Sequence, residues 1–474
     1  MTAPPLRTLF GIETEYAISG WDLAGAPYPR EPIATAMLAM ARETMPSLRD
    51  FDGRGVFLGN GARFLIDAGQ HPEMATPECL DPWEALVYLR AGDRIVHQLA
   101  EAAKAACPDL AVVSVFRTNT DLGPPPVSWA CHENYHCAER DPVELEPWLI
   151  PHLVSRVILT GAGGLRPGAS HLEYTVSPRA WFLVRSTGDG TTEDRSIFNL
   201  RDEPLGDAGY RLHVVAGETL CSEVANVLKI GTTALVVALA DAGLLDARPL
   251  AVASPVGALR RFATDLTCRA RVDRAGGRPI SAIEIQRQYL DAAVAHLDRL
   301  PAWAGTVCAS WRSHLDQLGA DPRGARTLDW VAKLALVEGL ADSVGATLGP
   351  GPGATSLDGR GSAAIREFDA RFGELGGRGV YDQLARRGML GGRQVTDSEI
   401  ATAMITPPRR TRAWHRGAAV REVSADPQRR ADAECDWYTI YDPLGRGVAD
   451  LEDPFVGAED EPYWIPQRPL EVGP

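Results

Sequence analysis

The 474-residue sequence contains no apolar run close to the roughly 20 residues that span a bilayer, and it does not begin with a basic stretch followed by an apolar core. Basic residues are also in deficit, since 48 lysines and arginines against 62 aspartates and glutamates give a net charge of −14. Nucleic-acid phosphates and anionic membranes repel a chain of this charge. We therefore expect a cytoplasmic protein with neither nucleic acid nor membrane as partner. No oligomerisation signal stands out, so we expect a monomer.

Paired cysteines are missing too. The eight cysteines are scattered without a CxxC pair, so we expect reduced packing residues rather than a disulfide framework. The segment 131–137, Cys-His-Glu-Asn-Tyr-His-Cys, raises a zinc site as an alternative. Its compact spacing lacks the second ligand pair of a structural zinc site, so zinc is the less favoured interpretation.

Regular alternation of strands and helices is absent, and so is a phosphate-binding loop. Residues 349–353, Gly-Pro-Gly-Pro-Gly, lack the Lys-Ser/Thr of a P-loop. Helix-like and strand-like segments are mixed without βαβ order, which favours an α+β fold around an antiparallel sheet. Periodicity predicts helices over residues 82–105, 222–241, 283–300, 303–318 and 327–340, and strands over residues 8–18, 56–67, 110–117, 172–176 and 212–215.

The length of the chain and a change in its composition predict two domains of unequal size. A chain of 474 residues exceeds the usual size of a single core. From about residue 400 the sequence becomes rich in proline and arginine, and then rich in tryptophan, tyrosine and acids. We predict a catalytic domain over residues 1–400 and a small C-terminal domain over residues 401–474.

The most informative segment is the strand-like run over residues 11–18, Gly-Ile-Glu-Thr-Glu-Tyr-Ala-Ile. Side chains two residues apart on a strand project to the same face, so Glu13 and Glu15 are expected side by side. Two like charges on an apolar strand need a compensating cation, which favours a Mg²⁺ or Mn²⁺ site. The alternative is an edge strand that presents two glutamates to solvent.

Two further segments carry polar groups of the same chemistry. Residues 60–79 form a turn, a short apolar strand and a loop with Asp67, His71, Glu73 and Glu78. Residues 199–204 and 210–214 add arginines and His213. Carboxylates and imidazole bind divalent metals, while guanidinium groups bind phosphate oxygens, so the set predicts a metal–nucleotide site.

These motifs resemble those of the Pup ligases and the Pup deamidases/depupylases, enzymes that act on a small prokaryotic ubiquitin-like protein. The matches keep the family's order and span about residues 10–416. They are GIETEYAI (11–18), NGARFLID (60–67), HPEMATPE (71–78), CHENY (131–135), RDEP (201–204), RLHV (211–214) and KIGTTAL (229–235), with further matches at 284–287, 328–333 and 407–413. The resemblance implies a large glutamine-synthetase-like domain whose curved antiparallel sheet cradles ATP and Mg²⁺, plus a small C-terminal domain.

The same resemblance implies roles for individual residues. Asp67 stands at the position of the family's catalytic aspartate. The predicted metal ligands are Glu13, Glu15, Glu73, Glu78 and His213, and the predicted nucleotide-binding residues are Arg63, Arg201, Arg211 and Arg412. The implied partners are Pup or a related modifier and its lysine-linked target proteins.

The resemblance leaves the reaction open between two branches. The stretch 19–60 is short, as in the ligases, whereas residues 77–82, 154–161 and 328–333 look more like the depupylases. Departures from both branches at residues 117–121 and 366–369 favour a divergent member. We favour an ATP-dependent enzyme that cleaves the amide or isopeptide bond at the modifier's C-terminal Glu or Gln. The alternatives are a ligase that forms that isopeptide bond through a glutamyl phosphate, an inactive regulatory homologue, and a small-molecule ligase of the glutamine-synthetase type.

Overall fold

The computed structural model describes residues 5–67, 69–190, 193–200, 209–245, 250–349, 353–461 and 463–465, the last three by their backbone alone. In these ranges the α-helices are α1 Arg30–Thr44, α2 Pro82–Ala103, α3 Pro142–Ser155, α4 Val157–Thr160, α5 Glu223–Asp241, α6 Pro255–Thr264, α7 Ala282–Ala295, α8 Ala304–Ala320, α9 Asp329–Val344, α10 Ser362–Arg371, α11 Val380–Arg386, α12 Asp397–Ala403, α13 Ala413–Ser424 and α14 Pro427–Asp432. The strands are β1 Phe10–Glu15, β2 Ala17–Asp22, β3 Pro27–Tyr28, β4 Ser47–Asp50, β5 Gly55–Leu58, β6 Arg63–Ile66, β7 Pro72–Ala75, β8 Leu110–Phe116, β9 Cys131–Cys137, β10 Gly164–Leu165, β11 Tyr174–Thr175, β12 Arg185–Gly188, β13 Ser196–Asn199, β14 Tyr210–Val214, β15 Arg271–Val272, β16 Ile280–Ser281, β17 Glu434–Cys435, β18 Thr439–Asp442, β19 Gly447–Asp450 and β20 Tyr463–Ile465.

One large sheet organises the described chain. Its order is β12-β13-β14-β9-β1-β7-β6-β5-β4-β17-β18-β19-β20. Neighbouring strands are antiparallel except at the β12–β13 and β17–β4 pairs, which are parallel. The strand that carries Glu13 and Glu15 is therefore central, between β9 and β7. The alternative of a solvent-facing edge strand was wrong.

Two of the predicted strands are each divided into two. The segment 8–18 breaks at Tyr16, because Ala17 enters the separate sheet β3-β2-β8. The segment 56–67 is a hairpin of β5 and β6. Its turn is closed by a hydrogen bond from the Leu58 amide to the Ala62 carbonyl, and Gly61 supplies a positive φ of 83°. This hairpin places Asp67 at the end of β6, beside β7.

The five predicted helices are present as α2, α5, α7, α8 and α9, with ends shifted by a few residues. Helix α5 begins at Glu223 because the Ser222 hydroxyl caps it by accepting from the Ala225 amide. Within the described residues α5 alone is long and apolar enough to cross a membrane, but 89% of its apolar window is buried. It is the central helix of the main core, where it contacts α2, α3 and α8.

Residues beyond 400 add strands to the same large sheet. Strand β17 pairs with β4, and β18, β19 and β20 follow it outward. A separate apolar cluster joins Leu48 and Phe57 to Val420 and Ile440. The division into domains at residue 400 stays a prediction.

Candidate metal and nucleotide site

Strand β1 presents its two glutamates to one face and its apolar side chains to the other. Phe10 and Ile12 are buried against the helical core, whereas Glu13 and Glu15 lie half-buried on the opposite face. This alternation follows from the two-residue period of a strand. As predicted, the two carboxylates share a face, and strands β7, β9 and β14 supply their neighbours.

A first group of ligand atoms, the carboxylate trio, consists of Glu15, Asp67 and Glu73. Glu15 is directly opposite Glu73 in the antiparallel β1–β7 pair. Asp67 follows β6, in a loop closed by a hydrogen bond of 2.9 Å from its amide to the carbonyl of His71. The carboxylate oxygens of the three residues lie within 4.8 Å of one another. The trio therefore unites three predicted site residues.

The electrostatics of the carboxylate trio fit a divalent cation. Burial raises the pKa of Glu73 well above its usual value, and the charges of Glu13, Glu15 and Asp67 raise it further. Three converging carboxylates repel one another unless a cation or a proton neutralises them. Mg²⁺ binds such hard oxygen ligands and tolerates a mixed shell of carboxylates and water, so the residues present fit this metal.

A second group, the imidazole trio, consists of Glu13, His132 and His213. Glu13 Oε2 is 3.5 Å from His132 Nδ1 and 3.8 Å from His213 Nε2. The ligand atoms of the three residues also lie within 4.8 Å of one another. Burial alone would raise the pKa of Glu13, but the adjacent His132 and His213 imidazoles outweigh burial and lower it.

Strand β9 explains why His132 belongs to the site and why the structural zinc alternative does not hold. In β9 the side chains alternate, so Cys131 and Cys137 lie in the main core with Tyr135. His132 lies on the other face, directly opposite Glu13. The cysteines and the histidine therefore diverge, and they do not form a tetrahedral site. All eight cysteines, each within the described ranges, are buried and without a disulfide.

Glu78 and Arg412 form an ion pair with each other, and neither belongs to the carboxylate trio or the imidazole trio. Glu78 accepts from Arg412 Nε at 2.7 Å and from Arg416 Nη2 at 2.5 Å. All three side chains are buried. Burial would raise the pKa of Glu78, but the two guanidinium groups outweigh it and lower this pKa to about 2. We call Glu78, Arg412 and Arg416 the buried ion triad.

The other predicted arginines have different positions. Arg63 forms ion pairs with Asp50 at 2.6 Å and Asp52 at 3.1 Å. It lies on the same sheet face as Glu13, because Ala75 on β7 is the register partner of both residues. Arg211, on β14, donates to Asn134 Oδ1 at 3.0 Å and is close to Glu13. Arg201 lies outside the described residues.

A cleft runs from the imidazole trio towards the residues beyond 400. It has a volume of about 640 Å³, counting the open space at its mouth. Its lining combines charged and polar residues with apolar ones: Glu13, Asn134, Arg211, Arg412, Leu9, Trp437 and Pro454. A cleft with both charged and apolar walls suits a molecule with phosphates and a flat base.

Arg179 is a buried cation that the sequence did not single out, in the 3₁₀ helix Pro178–Trp181. It is 1% exposed, and it donates at 2.8 Å to both Ser128 Oγ and the Val215 carbonyl. Burial lowers the pKa of Arg179 to about 10, although Glu15 opposes this shift. Ser128 lies two residues before Ala130, whose amide donates to Glu15. Val215 lies two residues after His213, so Arg179 links the segments that carry the two trios.

We expect Arg179→Met to raise the Mg²⁺ concentration needed for half-saturation by about tenfold, because residues that orient metal ligands affect affinity on this scale. Isothermal titration with Mg²⁺ measures the change. Arg185→Met is the matched control, since Arg185 is solvent-exposed and pairs with Asp194. Loss of thermal stability with unchanged Mg²⁺ affinity would mean that Arg179 has only a packing role.

A sheet face with two adjacent groups of potential metal ligands, beside a cleft with charged and apolar walls, is typical of an enzyme that uses a nucleotide together with a metal ion. The family model described as Pup-ligase protein matches residues 8–441, and the chain therefore belongs to this family. The chain is similar to a Pup–protein ligase of Nocardioides sp. (strain ATCC BAA-499 / JS614), with 33% identity over 469 residues, 96% of this chain and 98% of that protein.

Two solved structures are similar throughout. One is the crystal structure of the complex between Pup and its ligase PafA, with a TM-score of 0.81 and 27% identity, covering 95% of this chain and 89% of that chain. The other is PafA in complex with ADP, with a TM-score of 0.72 and 25% identity, covering 89% of each chain. The predicted family and fold class are confirmed. The preference for a depupylase is not confirmed, because these relatives are named as ligases. They support the ligase, the alternative given in the sequence analysis, better.

Proposed function

We propose that the protein is an ATP-dependent ligase that joins the C-terminal glutamate of a Pup-like modifier to lysines of target proteins. This replaces the hydrolase that the sequence favoured. The observation that carries the proposal is the carboxylate trio beside the imidazole trio on one sheet face, in a chain whose relatives are named as Pup ligases. The stretch after β2 also supports a ligase. It contains β3, α1, β4 and β5 joined by short connections, without the long inserted loop associated with depupylases.

The reaction must activate a carboxylate, which is a poor electrophile. Transfer of the γ-phosphoryl group of ATP to the modifier's γ-carboxylate breaks the bond between the γ-phosphorus and the β,γ-bridging oxygen, and it gives an acyl phosphate and ADP. The lysine amine then attacks the acyl carbon, and phosphate leaves. One Mg²⁺ held by Glu15 and Glu73 and another held by Glu13 would neutralise phosphate oxygens and align the phosphoryl transfer.

The remaining groups of the site bind the nucleotide and accept a proton from the attacking amine. Arg211 lines the cleft and would hold phosphate oxygens there. Trp437 and Leu9 offer an apolar wall to the base. Asp67 accepts the proton of the attacking lysine amine, a role that needs a carboxylate next to the metal-bound phosphates.

The proposal is tested by incubating the purified protein with ATP and Mg²⁺ and three substrates in parallel, read by intact mass. The substrates are Pup ending in Glu with a lysine target, Pup ending in Gln, and a preformed Pup–lysine conjugate. We expect a new conjugate from the first and no change in the other two. Loss of the conjugate, or deamidation of the Gln form without ligation, would establish the hydrolase. Silence in all three would exclude Pup as the substrate. The cytoplasmic location and the monomeric state remain predictions.

A further inference from the structure

Lysine is almost absent from this chain. Of its 48 basic residues only three are lysines, at positions 104, 229 and 333, and all the others are arginines. Lysine is among the commonest residues of soluble proteins, so this usage is unusual. It bears on the proposed reaction, because the acceptor there is a lysine amine, whereas a guanidinium group stays protonated and does not act as the nucleophile. The chain therefore offers at most three side-chain acceptors to its own reaction, and all three lie within the described ranges.

Two of the three lysines are enclosed by the fold. Lys229, in α5, is fully buried, and its Nζ donates to the Glu218 carbonyl at 2.9 Å. Lys333, in α9, is also buried, and its Nζ forms an ion pair with Asp369 at 2.9 Å and donates to the Gly163 carbonyl at 3.0 Å. An attacking amine needs a free lone pair and room for the acyl carbon. Neither of these two amines has that room in the folded chain.

Lys104 differs from both, because it lies at the surface where α2 ends. Its side chain is 30% exposed, and its Nζ pairs with the Glu101 carboxylate at 2.6 Å, three residues back along the helix. Ion pairs of this partly exposed kind are weak, so the amine is easily released. The residues that follow, Ala105, Ala106 and Pro108, are exposed and small. The amine of Lys104 therefore stands on a surface turn with little bulk around it.

Lys104 is also far from the site of its own chain. Met74 is next to Glu73 on β7, so its side chain projects to the sheet face opposite the carboxylate trio. On that face α2 packs so closely that a Cβ on Gly92 would lie 2.8 Å from Met74 Cγ. Lys104 follows Gly92 by twelve residues, which is about 18 Å of helix. The sheet itself and this distance separate the amine of Lys104 from Asp67, so the two cannot meet within one molecule.

We propose that Lys104 is the one side chain of this enzyme that accepts the modifier, and that it receives the modifier from a second copy of the chain. The proposal rests on the ligase activity proposed above. In the acting copy, ATP converts the modifier's γ-carboxylate to the acyl phosphate. The Lys104 amine of the second copy then attacks the acyl carbon, so that a C–N bond forms and the acyl C–O bond to phosphate breaks. Phosphate leaves, and Asp67 of the acting copy takes the proton of the amine.

The test incubates the full-length protein with ATP, Mg²⁺ and Pup ending in Glu, with and without an added lysine target, and maps the modified residues by mass spectrometry. Without the target we expect one modifier per chain, on Lys104. Because two copies must meet, a tenfold higher enzyme concentration should raise the fraction of chains modified in a fixed short time by about tenfold. Lys104→Arg should abolish the self-conjugate and leave conjugation of the added target unchanged. A modifier on Lys229 or Lys333, or a modified fraction that does not depend on enzyme concentration, would overturn the proposal.

The added target separates this proposal from the ligase activity on which it rests. A conjugated target beside an unmodified enzyme would overturn the role of Lys104 alone, whereas absence of any conjugate would overturn the ligase itself. Acetylation with an amine-reactive ester gives a control that needs no ligase activity. We expect Lys104 to be acetylated in the native wild-type protein, and Lys229 and Lys333 only after unfolding in urea. Acetylation of either buried lysine in the native protein would contradict the accessibility on which the proposal depends.

Discussion

Replacing Asp67 by asparagine should reduce conjugate formation by about 10³-fold or more, while nucleotide binding stays within about twofold. Asparagine keeps the shape of the side chain, and the backbone hydrogen bonds that close the loop to His71 and Gln70 do not depend on the carboxylate. The variant loses the oxygen that accepts the lysine proton. Glu15 and Glu73 remain to hold Mg²⁺ near the phosphates.

Single-turnover conjugation measured by intact mass, with ADP binding by isothermal titration, checks this expectation. Asp52→Asn is the control, because Asp52 lies on the nearby β4–β5 turn and forms an exposed pair with Arg63. It should retain nearly full activity. A rate above about a tenth of wild type in the Asp67 variant would exclude Asp67 as the essential proton acceptor. An equal loss of ADP binding would instead assign it to the metal site.

Replacing Glu78 by glutamine should destabilise the fold by about 3–5 kcal/mol, with or without Mg²⁺. The change leaves the buried guanidinium groups of Arg412 and Arg416 without their shared carboxylate. Buried charges that lose their partner cost far more than exposed ones. If Glu78 acted as a metal ligand instead, the loss of stability would appear only in the presence of Mg²⁺.

The same triad predicts a pH dependence of stability. The pKa of Glu78 is about 2 in the folded protein, against 4.5 for an ordinary glutamate. A lowered pKa contributes stability that is complete above pH 4.5 and is lost as the pH falls from 4.5 towards 2. Urea unfolding between pH 3 and 7 should show this loss in the wild type and a flatter profile in Glu78→Gln. Glu434→Gln is the control, since its pair with Arg49 is partly exposed to solvent and should contribute under about 1 kcal/mol.

The sequence predicted the parts of the site that depend on local periodicity. Strand alternation correctly placed Glu13 and Glu15 on one face. The prediction of a loop at Glu73 was wrong, because Glu73 lies on β7 directly opposite Glu15. His132 was missed as a metal ligand because zinc was the only metal weighed at residues 131–137, although residues 131–135 were matched to a family motif. The alternation of 131–137, applied as it was to Glu13 and Glu15, would have separated His132 from both cysteines.

Long-range pairings could not be read from residue types. Nothing local shows that Glu78 meets Arg412 and Arg416, or that Arg63 meets Asp50, since an arginine that binds phosphate and one that neutralises a buried acid look alike in a sequence. The choice between branches failed for a related reason. It relied on short matches such as residues 328–333, where Trp330 packs in the core and Lys333 forms an ion pair with Asp369 at 2.9 Å. Such contacts within the fold say little about the reaction.

The parallel pairing of β17 with β4 has a consequence for protein synthesis. Strand β4 leaves the ribosome early, but its partner emerges only after residue 434 has been translated. Until then the nascent chain exposes an unpaired strand edge next to apolar Leu48 and Phe57, which is a template for misassembly. A chain truncated before residue 434 would therefore be prone to aggregate. The C-terminal strands thus determine whether a translated chain stays soluble.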